Sequence, residues 1–327
     1  MPPMFIPPQP SSEIVVDRVS WKSQVSAADN PWQKIAWSPQ LSRFVAIANS
    51  GAGNRIMVSS DAVTWATQVI ANQDWRDVVW TGTNFVAVSA DGTQRAATSP
   101  DGITWTLRNT PSPRTWRALA YAAGLNRLVA VHSDATANVM TSDDHGVTWV
   151  ARGIPAGQQY RSIAYADEIG LFVAPSGAVG ELMMRSSDGI TWTQYAQPAS
   201  RAWSCIEWSN ELERFVMLAA SGSGQFSAYS DDGLNWTSVA VPANIAFEDV
   251  VYANTLKRFF AVGSTGTISQ KAIVSEDGTA WTATEAAANN AWNGLAWSEE
   301  IGVVVAVGSS GAGNRVMTSC TTFHLDD

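Results

Sequence analysis

Three arginines stand at equivalent places in this 327-residue chain. Arg76, Arg117 and Arg161 each directly follow an aromatic residue: Trp75, Trp116 and Tyr160. A guanidinium is a permanently charged planar fork of donors that pairs two-for-two with a carboxylate or phosphate. Brought to one place, three of them make an anion site; left apart, they are solvated or paired charges. The aromatic residues are the second prospect. Trp32, Trp75, Trp116, Trp203 and Trp292 hold equivalent positions, and rings open to solvent there would stack on a glycan, with the arginines orienting its polar groups. Little else offers chemistry. His132, His145 and His324 are scattered without metal-ligand spacing. Gly51-Ala52-Gly53 and Gly311-Ala312-Gly313 lie in turns between strands, not ahead of a helix, so they cradle no phosphate. Glu299-Glu300 falls in a loop and is expected to be solvated. No cofactor is implied.

The elements that position these residues form a repeat. Aromatic residues open seven units at Trp32, Trp75, Trp116, Tyr160, Trp203, Phe247 and Trp292, spaced 43, 41, 44, 43, 44 and 45 residues apart. A second aromatic follows five residues later, at Trp37, Trp80, Tyr121, Tyr165, Trp208, Tyr252 and Trp297. Each unit reads as four short strands bounded by Gly, Pro, Asn and Ser. The second strand, as in Leu128-Val129-Ala130-Val131, is continuously apolar and so buried on both faces. Four strands in about 40–50 residues is the blade of a β-propeller. The expectation is an all-β, seven-bladed propeller.

Six of the seven units also carry S-x-D-G-x-T-W or a variant, as in Ser186-Ser187-Asp188-Gly189-Ile190-Thr191-Trp192. The aspartates are Asp61, Asp101, Asp144, Asp188, Asp232 and Asp277. Asp and Ser accept backbone N–H groups in a tight turn, Gly permits positive φ, and Trp packs between blades. The motif therefore reads as structural, at the turn between strands three and four. It resembles the Asp-box of sialidase-like propellers, whose fuller form S-x-D-x-G-x-T-W is matched only by Ser142–Trp149. The last unit loses the box, whereas Asp17-Arg18-Val19-Ser20-Trp21 reads as an orphan piece of one. The N-terminal strand is thus expected to complete the seventh blade and remove an open sheet edge.

Units reading W-x-x-[IV]-x-W-S and S-G-x-G-N-R-V-M, as at Trp292–Ser298 and Gly311–Met317, resemble the repeats of bacteriophage virion propellers. That resemblance implies a tail or capsid component, located in the virion, with other virion proteins or a host surface glycan as partner. The Asp-box propellers that assist photosystem II assembly are similar in length and blade count but would carry a targeting segment. Residues 1–14, rich in proline, read as an extended arm without the features of a signal peptide, and residues 15–327 as one propeller domain.

Net charge is −9 without a basic stripe, which argues against nucleic acid. No run of 18 apolar residues exists to insert in a membrane. Cys205 and Cys320 lie in different repeats and are expected as free thiols. All 16 tryptophans occupy repeated positions, which makes the box tryptophans core residues first. By resemblance, a sialidase would surround its substrate carboxylate with three arginines. It would also need a tyrosine nucleophile backed by a glutamate. Tyr195 and Tyr229, the tyrosines outside the repeated positions, have no glutamate in register. The leading expectation is a non-enzymatic binding module; a scaffold propeller for a protein partner and a glycoside hydrolase are the alternatives.

Overall fold

The computed structural model describes residues 14–325 apart from 181, 222–225 and 243–244. Among the described residues the strands form seven antiparallel sheets of four. The first blade comprises Trp32–Ser38, Arg43–Ala48, Ile56–Ser59 and Ala66–Gln68, paired in chain order. The first strands of successive blades touch around a closed ring, with blade 1 against both blade 7 and blade 2. The proline-rich arm lies outside the described residues except for Ile14.

Blade 7 is closed by the N-terminus. Ile14–Gln24 is its outer strand and pairs antiparallel with Val316–Leu325, which pairs with Val303–Gly308. One detail departs from the sequence reading. Ile14–Gln24 is an unbroken strand, so the orphan fragment forms no box turn. Trp21 sits mid-strand, edge-on to Phe260 at 6.0 Å, and its Nε1 donates to Thr284 Oγ1.

The core lies between blades. The second strands are buried almost throughout, as in Val303–Gly308, because each is covered by a neighbouring blade on both faces. In blades 1, 4, 5 and 6 three aromatics stack in series, for example Tyr165, Phe172 and Trp192 at centroid distances of 4.4 and 6.2 Å. Each box turn is closed by its aspartate. Asp188 Oδ1 accepts the Ser186 hydroxyl and the N–H groups of Ile190 and Thr191 at 2.7–2.9 Å. Asp61, Asp101, Asp144, Asp232 and Asp277 accept equivalent bonds. The turn then seats on the preceding blade. Gly278 has φ 76°, and a Cβ there would come 2.4 Å from Val216 of blade 5. Arg127 Nη1 reaches from blade 3 to Asp188 O in blade 4 at 2.7 Å, and Arg214 makes the same reach to Asp277 O at 3.1 Å. Blade 7 has no such turn, and a groove of about 880 Å³ lies between its outer strand and that of blade 6.

Candidate functional site

In six of the seven blades the residue after the opening aromatic is placed by a β-bulge; in blade 4 Tyr160 makes an isolated bridge to Ser176 and the first strand begins only at Ala164. Pairing of the first and second strands shifts register between Trp32 and Lys34, Trp75 and Asp77, Trp116 and Ala118, Trp203 and Cys205, Phe247 and Asp249, and Trp292 and Gly294. The extra residue of a bulge is left out of the ladder and re-aimed. Here it turns into the central channel. Arg76, Arg117 and Arg161 line one pore together with Gln33, Lys34, Ser204, Glu248 and Asn293.

The opening tryptophans do not. Trp32, Trp75, Trp116, Trp203 and Trp292 are 0% exposed. Their rings wedge between blades, and those of Trp32, Trp75 and Trp292 cap the carbonyl four residues back, as in Trp75 Nε1 to Ala71 O at 2.9 Å. The expectation that they stack on a glycan is therefore corrected. A strand edge near a mouth need not present its side chains to solvent when the pleat directs them into the blade interface.

The arginine arc is electrostatically unfinished. Arg76 pairs with Asp74 of its own blade. Arg117 is shielded by the pore wall and flanked by both other arginines. Burial lowers its pKa to about 10, with Arg76 and Arg161 adding to the shift and Glu248 only partly opposing it. Glu248 also accepts the Ser264 hydroxyl at 2.7 Å. A shielded cation among like charges is stabilised by an incoming anion. The pore, at about 40 Å³, admits a group of carboxylate size and no larger ring.

Polar residues two places after the openers form a second set, which the sequence reading passed over. Lys34 Nζ meets Asp249 at 2.6 Å. Burial disfavours the ammonium, but Asp249 and Asp77 outweigh it and raise the pKa of Lys34. Asp249 also accepts Leu295 N at 2.8 Å, and Asp77 accepts Leu119 N at 2.7 Å and Val78 N at 2.8 Å. Asp249 thereby ties blade 6 to blade 7, and Asp77 ties blade 2 to blade 3. Burial pushes Asp77 up to about 7 despite Lys34 and its N–H partners. The signal for this set was present: charge in register at positions where other units carry Ala, Ser, Cys or Gly.

The second aromatics ring the other end of the first strands. Four are latched to the preceding blade, always to the residue three places after that blade's own second aromatic. Trp37 Nε1 donates to Glu300 at 2.8 Å, Trp80 Nε1 to Gln40 at 2.7 Å, Trp208 Nε1 to Glu168 at 2.6 Å, and Tyr252 Oη to Glu211 at 3.1 Å. Glu300, expected to be solvated, is instead an acceptor in one of these latches.

Other candidate chemistry is spoken for. Tyr195 donates to Gly233 O at 2.6 Å, and Tyr229 lies under the Arg214 guanidinium at 4.6 Å. Neither lines the arginine pore. Cys205 is buried, with its pKa raised by burial, and Cys320 is exposed; both are free thiols. No group of metal-ligating residues occurs among the described residues.

No protein-family model matches the chain, and no curated protein matches it by sequence. Solved structures do. A catalytically inactive virginiamycin B lyase from Staphylococcus aureus with quinupristin is similar at TM-score 0.76 and 8% identity, over 92% of this chain and 99% of that one. YCF48 bound to D1 peptide is similar at TM-score 0.66 and 15% identity, over 95% and 100%. At such identities the likeness establishes the fold alone. The chain is a seven-bladed β-propeller. One of these propellers is an enzyme by name and the other holds a peptide, so the propeller fold by itself does not decide between catalysis and binding.

Proposed function

We propose that this chain is a non-enzymatic propeller that binds a protein partner by taking one of its carboxylates in the arginine arc. The observation that carries this reading is Arg117, a shielded cation between Arg76 and Arg161 at a pore of carboxylate size. Arginine and carboxylate pair through two parallel hydrogen bonds, and the low-dielectric wall strengthens them. The likeness to a propeller that holds a peptide supports the same class of partner. Absence of turnover is part of the proposal. The pore is too narrow to admit a substrate ring, Asp77 and Asp249 are committed to neighbouring N–H groups, and Tyr195 and Tyr229 stand elsewhere. The virion setting implied by the repeat resemblance belongs to the proposal as well, with another virion protein as the partner.

The test is calorimetric titration with a library of peptides that end in a free carboxylate or carry internal Asp or Glu, paired with amidated controls. The expected result is salt-sensitive binding that amidation abolishes and Arg117→Gln weakens at least tenfold. Equal binding by the amidated peptides, or by a variant lacking all three arginines, would refute the reading. Turnover of a sialoside panel would refute its non-enzymatic part.

A further inference from the structure

Three second aromatics, Tyr121, Tyr165 and Trp297, lack the latch to the preceding blade, and at Tyr165 the gap lies beside a cavity. Tyr165 of blade 4 should find its acceptor three residues after Tyr121, but that residue is Gly124, which has no side chain. The Tyr165 ring rests on Phe172 at 4.4 Å, and its hydroxyl pKa is raised by burial and by Asp167, with no hydrogen bond contributing. A shallow cavity of about 270 Å³ opens there between blades 3, 4 and 5. Tyr121, Tyr165, Glu207, Trp208 and Asn210 are among its walls. Trp208 is held in place by its own latch to Glu168.

We propose that this cavity is a binding site for a single neutral sugar ring. The sugar packs against the Tyr121 and Tyr165 rings and hydrogen-bonds to the Tyr165 hydroxyl, the Glu207 carboxyl and the Asn210 amide. Aromatic walls suit the apolar face of a pyranose, and convergent polar groups that carry no formal charge suit its hydroxyls. Glu207 meets that condition. Burial, reinforced by Asp249, pushes it up to about 8, against the N–H of Tyr252 and the charge of Lys34. At neutral pH it is therefore a carboxylic acid that both donates and accepts. No cationic side chain lines the cavity, which disfavours an anionic sugar. The volume lies just under the range of drug-sized sites and suits one ring. This site is separate from the arginine pore, and its test does not depend on peptide binding.

The experiment is saturation-transfer NMR and calorimetry on the full chain with neutral hexoses and N-acetylhexosamines, and with methylammonium as a cationic probe. At least one neutral sugar should bind saturably. Loss of the hydroxyl in Tyr165→Phe should weaken it by about tenfold. Gly124→Glu supplies the missing latch acceptor. A Cβ at Gly124 meets nothing within 4 Å, so this variant should fold normally, tie down Tyr165 and lose the sugar. Failure of every sugar to saturate the wild type would overturn the proposal. So would unchanged sugar affinity in both variants, or binding of methylammonium in place of the sugars.

Discussion

The two ends of the channel are built from the same strands, five residues apart, yet they differ in chemistry. At the arginine end the aromatic residue is wholly buried and the bulged residue beside it faces the pore. At the other end Trp37, Trp80, Tyr121, Tyr165 and Trp297 stay partly exposed, and Trp37 and Trp80 are held there by polar latches. An aromatic residue in a repeat is therefore not one kind of residue. All seven openers are core, whereas on the other side of the bulge five rings are partly exposed and two, Trp208 and Tyr252, are buried. The arginine end offers charge and little area, which suits a carboxylate; the aromatic end offers area and little charge, which suits a neutral ring.

The sharpest break of this comparison is a pair of truncations. Trp75→Ala removes a fully buried indole and should cost about 3–5 kcal/mol by chemical denaturation. Trp80→Ala, half-exposed with a surface latch, should cost well under half of that. Equal losses would erase the distinction between the ends. The turns that hold the blades in place come next. Asp188→Ala leaves two backbone N–H groups without their acceptor and should cost about 1–3 kcal/mol without changing peptide or sugar affinity. Lost binding in a stable variant would mean that the turn is itself a site.

Titration separates the ends further. Asp77 and Glu207 hold protons more tightly folded than unfolded, so they favour the fold most when protonated. Their contribution is lost as pH rises from about 4 through about 7 and 8. Asp61, Asp188 and Asp232, lowered to about 2 by their turn hydrogen bonds against a desolvation that raises them, act in the opposite sense. Their contribution is present above about 4 and lost as pH falls towards 2. Glu207→Gln should flatten the decline of melting temperature between pH 5 and 8, a window set by those values. An unchanged slope would deny that Glu207 is held as a neutral acid. The smallest effect is expected for Arg117→Gln without ligand. Relieving like-charge crowding should leave the melting temperature unchanged or slightly raised, while anion binding falls.

The period, the four-strand blade and the closure by the N-terminal strand were legible because hydrophobic burial on both faces leaves a direct imprint on residue type. The box aspartates were legible for a similar reason. A turn that bonds to its own side chain is local, so spacing alone identifies Asp188 and its equivalents. The site was legible only in part. Arg76, Arg117 and Arg161 were found by register, but the register could not say that their neighbours Trp75 and Trp116 point away. Glu207 and Glu300 looked like ordinary loop or strand carboxylates.

By itself, then, the sequence determined what is periodic: which residues recur, how many blades they make and which turns close themselves. Tertiary structure decided what depends on a neighbour. Bulges one residue long turned Arg76 and Arg117 into the pore that Arg161 also lines. Contact across blade boundaries buried the opening tryptophans and gave Glu300 to Trp37, while Gly124 left Tyr165 without an acceptor. These pairings join residues about 40 positions apart along the chain, or opposite ends of it where the ring closes. Only closing the ring fixes such distances, because the interaction of each side chain is set by the blade that packs against it.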